Sequence, residues 1–250
     1  MASKPPDNVA SLIESFESYF SVNLACKAEE KTKAFHIRYR VYCEEFGYEE
    51  KENCPNEQEK DEFDDSSYHC VIIHKRLEMP AGCVRLVPAT GSNGEGLLPF
   101  EKFCGQSLNR SLIDSYHLDR TTICEISRLA VDSAFRRRTG ESLTRFGGPD
   151  SLDISQVEER TFSLIAVSGF LAATALTELT GKTNVFAMME PFLPRLLKRS
   201  GIVFEKVGQD IDYHGIRAPY FIKTQSALDH MNADLKSLYQ WIYKQIKASV

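Results

Sequence analysis

The 250-residue chain carries a net charge of −5, with 42% hydrophobic and 26% charged residues, so it can bury a core as one large domain or two small ones and is not disordered over most of its length. An acidic balance argues against coating nucleic acid, which takes an excess of Lys and Arg. Seven cysteines without a CxxC pair point to reduced thiols rather than a disulfide framework, and no His/Cys cluster has metal-ligand spacing, so no metal is expected.

The N-terminus lacks the uninterrupted apolar run of a signal peptide, and no later stretch is long and apolar enough to span a membrane, so a cytoplasmic location is expected. Asn8 or Ser11 can cap a short amphipathic helix bearing Val9, Leu12, Ile13, Phe16 and Phe20, an N-terminal extension over residues 1–19. Residues 20–26 read as a strand and 28–46 as a helix stopped at Gly47. The acid-rich stretch 49–65 reads as a solvated loop. Strands are expected over 67–75 and 82–89, reversing at Met79, Pro80 and Gly82.

A helix is expected over 100–112 and a buried central strand over 122–131, the run TICEISRLAV. After an insertion over 139–155 come a long apolar helix, 157–180, the strand TNVFAMM, the helix PFLPRLLKRS closed by Gly201, the strand VFEKVG and a last strand over 218–224. A helix with one apolar side, 226–247, ends the chain, and the C-terminal helical region runs to residue 250. Helices alternating with strands over one mixed sheet give an α/β (α+β) class, three layers thick, as a single domain over 1–250.

Four segments carry chemistry: Arg38-Tyr-Arg-Val-Tyr42 with Tyr48, Glu59-Lys-Asp61-Glu-Phe-Asp64, Gly82-Cys-Val-Arg85-Leu and Glu125-Ile-Ser-Arg128. In this order and spacing they resemble the acyl-homoserine-lactone (autoinducer) synthases and the related N-acyl amino acid synthases. Ala187–Pro191, Arg195–Gly201 and Tyr213–Tyr220 look closest to N-acyl amino acid synthases and to the acyltransferases of PEP-CTERM/exosortase systems. The resemblance implies the GCN5-related N-acetyltransferase (GNAT) fold, with a bulged fourth strand splayed from the fifth and backbone N–H groups near Leu129 and Ala130 left for a thioester carbonyl. It carries over Arg38, Tyr42, Tyr48, Glu59, Asp61, Asp64, Arg85, Glu125 and Arg128 as site residues. Where some synthases bear Trp, this chain has Tyr48, a difference that bears on amine selectivity.

The residues make chemical sense by themselves. Acylating an amine requires the ammonium to be held and deprotonated beside a thioester carbonyl whose developing oxyanion meets donors. Carboxylates interleaved with arginines can do this, or they can form an ion-pair network that merely ties loop to sheet. Glu125 and Arg128 lie in an otherwise apolar run, where an unpaired charge costs several kcal/mol. Three apart, they share a face only if the strand bulges.

Glu59 is the expected base, through water, with Glu125 and Arg128 organising the site and Tyr213 or Tyr220 protonating the departing thiol. Arg136, Arg137, Arg138 and Gly140 form either a solvated turn or a dock for the donor's phosphate or an acidic acyl carrier protein. Phe100, Phe186, Met188, Met189 and Phe192 line an acyl tunnel or are plain core. No Ser-His-Asp or Cys-His arrangement is present, which favours direct attack over a covalent acyl-enzyme. The expected activity is transfer of a fatty acyl group from acyl carrier protein or acyl-CoA, as co-substrate and with no tightly bound cofactor, to an amino acid or similar amine. The alternatives are lactone synthesis from S-adenosylmethionine, or a non-catalytic module that binds acylated carrier.

Overall fold

A computed structural model describes residues 8–136 and 155–249. In chain order its elements are α1 (Asn8–Tyr19), β1 (Phe20–Leu24), α2 (Ala28–Arg38), β2 (Tyr68–His74), β3 (Met79–Pro88), α3 (Pro99–Cys104), α4 (Arg110–Ser115) and β4 (Ile123–Val131). There follow α5 (Gln156–Arg160), α6 (Ser163–Leu179), β5 (Asn184–Met189), α7 (Phe192–Lys198), β6 (Glu205–Lys206), β7 (Ile211–Asp212), β8 (Ile216–Lys223), α8 (Thr224–His230) and α9 (Ala233–Lys247). The strands form one sheet in the order β1-β2-β3-β4-β5-β8-β6, with β7 also on β8; β4 and β5 are parallel and every other pair is antiparallel. A parallel pair needs a crossover, and α5 and α6 lie on that connection.

Strand alternation sorts the apolar residues onto two faces. Cys124, Val185, Ala187 and Ile222 join Ile165, Leu171, Leu176, Leu238 and Ile242 from α6 and α9 in the main core. On the other face Val87, Ile123, Phe186 and Phe221 pack with Phe100 of α3, while Val71, Cys83 and Ala130 pack with Ala34 and Ile37 of α2. The molecule is therefore a mixed sheet between two helical layers. Gly169 permits the close approach of α6 to β4, because a Cβ there would lie 2.4 Å from Leu129 Cδ1.

Several expected boundaries shift for identifiable reasons. Pro80 and Gly82 lie inside β3, where Pro80 sits at a register shift opposite Ile72 and Ile73, and the chain reverses at residues 75–78 with Glu78 at φ 53°. The helix expected to 46 leaves α-helical geometry after Arg38 and finishes as a π-helical turn, Tyr39–Glu45. The helices over 100–112, 157–180 and 226–247 are each broken in two, and Asn109 and Asn232 cap the restarts of the first and last by accepting from the N–H groups of Leu112 and Leu235. The VFEKVG strand shrinks to Glu205–Lys206. Asn8 and Ser11, expected as caps, have no described side chains. All seven cysteines are free thiols, no cluster of His, Cys, Asp or Glu among the described residues could hold a metal, and no described helix is long and apolar enough to cross a membrane.

Candidate active site

The carboxylates of the acid-rich loop are drawn into the protein rather than solvated. Glu59 is 2% exposed and Asp64 4%. Arg38, at the end of α2 and fully buried, donates Nε to Glu59 at 2.5 Å and grips Asp64 with both terminal nitrogens at 2.7 and 2.9 Å. Arg85 of β3 donates to Asp61 at 2.6 Å and Asp64 at 2.8 Å, and its Nε reaches Ser127 of β4. Arg128 closes the set on Glu59 and Asp61. Three guanidinium groups thus face three carboxylates in the gap between the α2 and α3 clusters, and neither set stays uncompensated.

Arg128 reaches this network because of one extra residue in β4. Across β3, Arg85 faces Ser127 but Cys83 faces Ala130, so two steps on one strand match three on the other. Arg128 takes φ 53° at this bulge, a conformation costing about 1–2 kcal/mol for a residue with a Cβ. The alternation then inverts. Cys124 and Ile126 face the α6 core before the bulge, Leu129 does so after it, and Ala130 joins the α2 cluster. A regular strand would turn Arg128 toward α6; the bulge delivers it to the face that Glu125 shares.

Burial alone would push Glu59 up, but the charges and hydrogen bonds of Arg38 and Arg128 outweigh it and hold Glu59 at about 2. Asp64 is depressed in the same way by Arg38 and Arg85. Glu125 behaves oppositely: burial raises it to about 7, against a backbone hydrogen bond from Phe100 N–H at 2.7 Å and the more distant Arg85 and Arg128. The depressed carboxylate is an anchor, and the raised one is poised to exchange a proton near neutrality.

Lying outside the expected strands, in the acid-rich loop, Glu59 would tolerate replacement by Gln without unfolding. Its burial reverses that expectation. The variant leaves Arg38 and Arg128 short of a buried counter-charge and should lower unfolding free energy by about 3 kcal/mol. Glu59 stabilises the fold fully above its ordinary value of 4.5, and the contribution disappears as pH falls through about 2. Urea unfolding at pH 7 and pH 3 checks this: the wild-type–variant difference must shrink at the lower pH, and equal midpoints at pH 7 would remove Glu59 from the network.

β4 and β5 pair only from Ile123 to Glu125, against Asn184 to Phe186, and then diverge. The gap is a cleft of about 360 Å³ bounded by Ile126–Val131 on one side and Ala187–Met189 on the other, with Ala166, Phe170 and Ala173 of α6 beneath. Beside it lies a small polar pocket of about 60 Å³ lined by Glu49, Phe100, Glu125, Tyr213 and His214. Six residues line both: Tyr42, Tyr48, Ser127, Arg128, Met188 and Arg217. Tyr42 donates its hydroxyl to the Leu129 carbonyl at 3.0 Å, its ring lies under the Arg128 guanidinium, and burial raises it to about 12, keeping that hydroxyl protonated. Tyr48 stacks on Tyr42 and carries Arg217 over its own face.

Arg38, Tyr42, Tyr48, Glu59, Asp61, Asp64, Arg85, Glu125 and Arg128 are therefore brought together at one end of the cleft, where Leu129 and Ala130 form part of its wall. Met188, Met189 and Phe192 line the cleft. Phe100 and Phe186 do not; they stack at 4.9 Å in the cluster beneath α3, and Phe100 faces only the polar pocket. Tyr220 is buried in the main core, whereas Tyr213 lines the polar pocket. Arg136 is tied down, its Nε on the Val131 carbonyl at 2.7 Å, its guanidinium on Glu45 and above the Phe46 ring. Arg137, Arg138 and Gly140 lie outside the described residues. Arg217, although it lies in the Tyr213–Tyr220 segment, and Glu49 are not among the site residues the sequence indicated, because one Arg in that segment and one Glu in an acidic run carry no spacing signal of their own.

Residues 37–145 match the family model described as an acetyltransferase (GNAT) domain. The acyl-homoserine-lactone synthase of Acinetobacter nosocomialis is 34% identical over 79 residues, which span 32% of this chain and 39% of that relative's length. Among solved structures, the CoA-dependent acyl-homoserine lactone synthase BjaI, with SAM and isopentyl-CoA, superposes with a TM-score of 0.57 at 16% identity, covering 89% of each chain. FeeM, an N-acyl amino acid synthase from uncultured soil microbes, superposes with a TM-score of 0.53 at 12% identity, covering 85% of this chain and 94% of its own. The fold is the GNAT fold, and the chain resembles the acyl-homoserine-lactone and N-acyl amino acid synthases.

Proposed function

From that resemblance and the paired pockets we propose that the chain is an N-acyltransferase, working as a single domain over 1–250 in the cytoplasm. It moves a fatty acyl group from acyl carrier protein or acyl-CoA to the amine of an amino acid or similar acceptor. One observation carries this reading: an apolar cleft between splayed strands adjoins, across six shared lining residues, a polar pocket holding a carboxyl poised near pH 7. An acyl chain and an ammonium have opposite solvation demands, and their reactive ends must meet at one point.

In this reading the acyl chain occupies the cleft, and the thioester carbonyl lies against the backbone of Leu129 and Ala130, where the Leu129 N–H stabilises its oxyanion; the Ala130 N–H faces the Cys83 sulfur of β3 instead. Glu125 takes a proton from the acceptor's ammonium. The freed nitrogen bonds to the carbonyl carbon, the carbon–sulfur bond breaks, the Tyr213 hydroxyl protonates the leaving thiolate, and the nitrogen's surplus proton passes to the Tyr213 phenolate, leaving a neutral amide and a thiol. Glu59, although expected as the base, is already committed to Arg38 and Arg128 and holds the site's shape instead. The thioester is itself a co-substrate, so no resident cofactor is called for. Met188, Met189 and Glu190 beside the cleft and Tyr213, His214 and Arg217 beside the polar pocket are the parts of the PEP-CTERM/exosortase-type segments that line the site.

The test is to incubate the protein with octanoyl and palmitoyl thioesters of CoA and of holo-acyl carrier protein, together with amino acids or S-adenosylmethionine, and to analyse the products by mass spectrometry. An N-acyl amino acid is the expected product. Release of methylthioadenosine with an acyl lactone instead supports the synthase reading that the Acinetobacter nosocomialis relative favours. Carrier binding without any amide product overturns the enzymatic reading.

A further inference from the structure

The polar pocket is lined by five ionisable side chains besides its tyrosines: Glu49, Glu125, Arg128, His214 and Arg217. Four have evident commitments. Arg128 is taken up by Glu59 and Asp61, Glu49 lies 3.9 Å from Arg128 and 3.8 Å from His214, and Glu125 accepts from the Phe100 N–H. Arg217 differs. No described carboxylate lies within ion-pair distance of it, and its Nε is a buried donor without a hydrogen-bond partner. The guanidinium is held by stacking 5.7 Å from the centre of the Tyr48 ring, so its direction is set without its hydrogen bonds being used.

A buried guanidinium donor left open costs free energy unless a ligand satisfies it. Its position at the junction of the two pockets limits that ligand. It must be an anion small enough for a pocket of about 60 Å³, and it must leave an amine within reach of Glu125. A planar carboxylate can accept from Nε and a terminal nitrogen side by side. An α-amino acid carries that carboxylate one carbon from its amine, so one small molecule presents an anion for Arg217 and an amine for Glu125, both of which line this pocket. A donor phosphate does not suit this place, because it would have to lie where the acceptor's amine meets the thioester.

Resting on the acyltransferase reading above, we propose that Arg217 is the specificity-determining residue for the acceptor, and that it selects amino acids with a free α-carboxylate over amines that lack one. The carboxylate engages Nε and a terminal nitrogen of Arg217, while Tyr48 keeps the guanidinium plane facing the pocket.

The experiment compares kcat and KM for the twenty standard amino acids and their primary amides, with octanoyl and palmitoyl thioesters of CoA and of holo-acyl carrier protein, in wild type, Arg217→Met and Arg217→Lys. The wild type should prefer the acid over its amide by roughly 10- to 100-fold in kcat/KM, as a hydrogen bond to a charged group warrants. Arg217→Met keeps an apolar stem against Tyr48 and should collapse that ratio toward one, chiefly through a higher KM for the acid. Arg217→Lys should keep part of the preference. A wild type that acylates amides as well as acids overturns the assignment, as does an unchanged ratio in Arg217→Met. If that variant fails to fold, the wild-type ratio and Arg217→Lys still decide it. A wild type that acylates no amine at all strikes at the acyltransferase reading instead, so the two failures are distinguishable.

Discussion

Glu125→Gln should lower the turnover rate by about 10²–10⁴-fold, the ordinary worth of general-base catalysis. The swap keeps the side chain's shape and leaves an oxygen to accept from the Phe100 N–H, so folding should survive. Stability supplies a second readout. Because burial raises Glu125 in the folded protein, folding favours its protonated form: that stability is fully present below its ordinary value of 4.5 and is lost as pH rises through about 7. The variant cannot ionise there, so at pH 8 it should be no less stable than wild type while being far slower. The wild-type rate should climb with pH around 7 as the base becomes ionised, and the variant's profile should lose that step. A folded variant with full turnover would take Glu125 out of the proton path.

Arg38→Ala should be the most destabilising single change in the network. Arg38 is fully buried and neutralises two carboxylates that are themselves nearly inaccessible, so its loss leaves Glu59 with Arg128, and Asp64 with Arg85, as the one remaining guanidinium partner among the described residues. Truncating one partner of a buried pair costs about 3–5 kcal/mol, which for a chain of this size lowers the melting temperature on the order of 10 °C. Arg38→Lys should recover little of it, because an ammonium cannot reproduce the side-by-side grip on Asp64 together with the Nε contact to Glu59. Lys206→Ala, at an exposed pair with Asp210, is the control and should move unfolding by under about 1 kcal/mol. Calorimetry on the three variants checks the order; an Arg38→Ala protein as stable as the control would mean that the network carries no net stability.

Much of the sheet was legible in advance because apolar alternation and β-branched runs depend only on neighbours in the chain. β2, β4 and β5 fall within two residues of their expected limits, and α6 ends one residue short of its expected limit although it starts six residues late. Helix interruptions were not legible, since Asn109 and Asn232 act through a backbone N–H three residues on, whereas the apolar spacing runs straight through.

The sequence by itself determined which charged residues are present and in what order, and it placed Glu125 and Arg128 in an apolar strand where unpaired charge is costly. Only the tertiary structure decided what each does. The extra residue of β4 turns Arg128 to the face that Glu125 shares, an outcome no periodicity of two can express. Two arginines from distant elements lock Glu59 as an anion, while Glu125, without a described arginine in ion-pair contact and bonded to a backbone N–H, keeps an exchangeable proton. Ionisation is set by which charges lie within a few ångströms in a dry interior, and those neighbours are fixed by packing rather than by position along the chain.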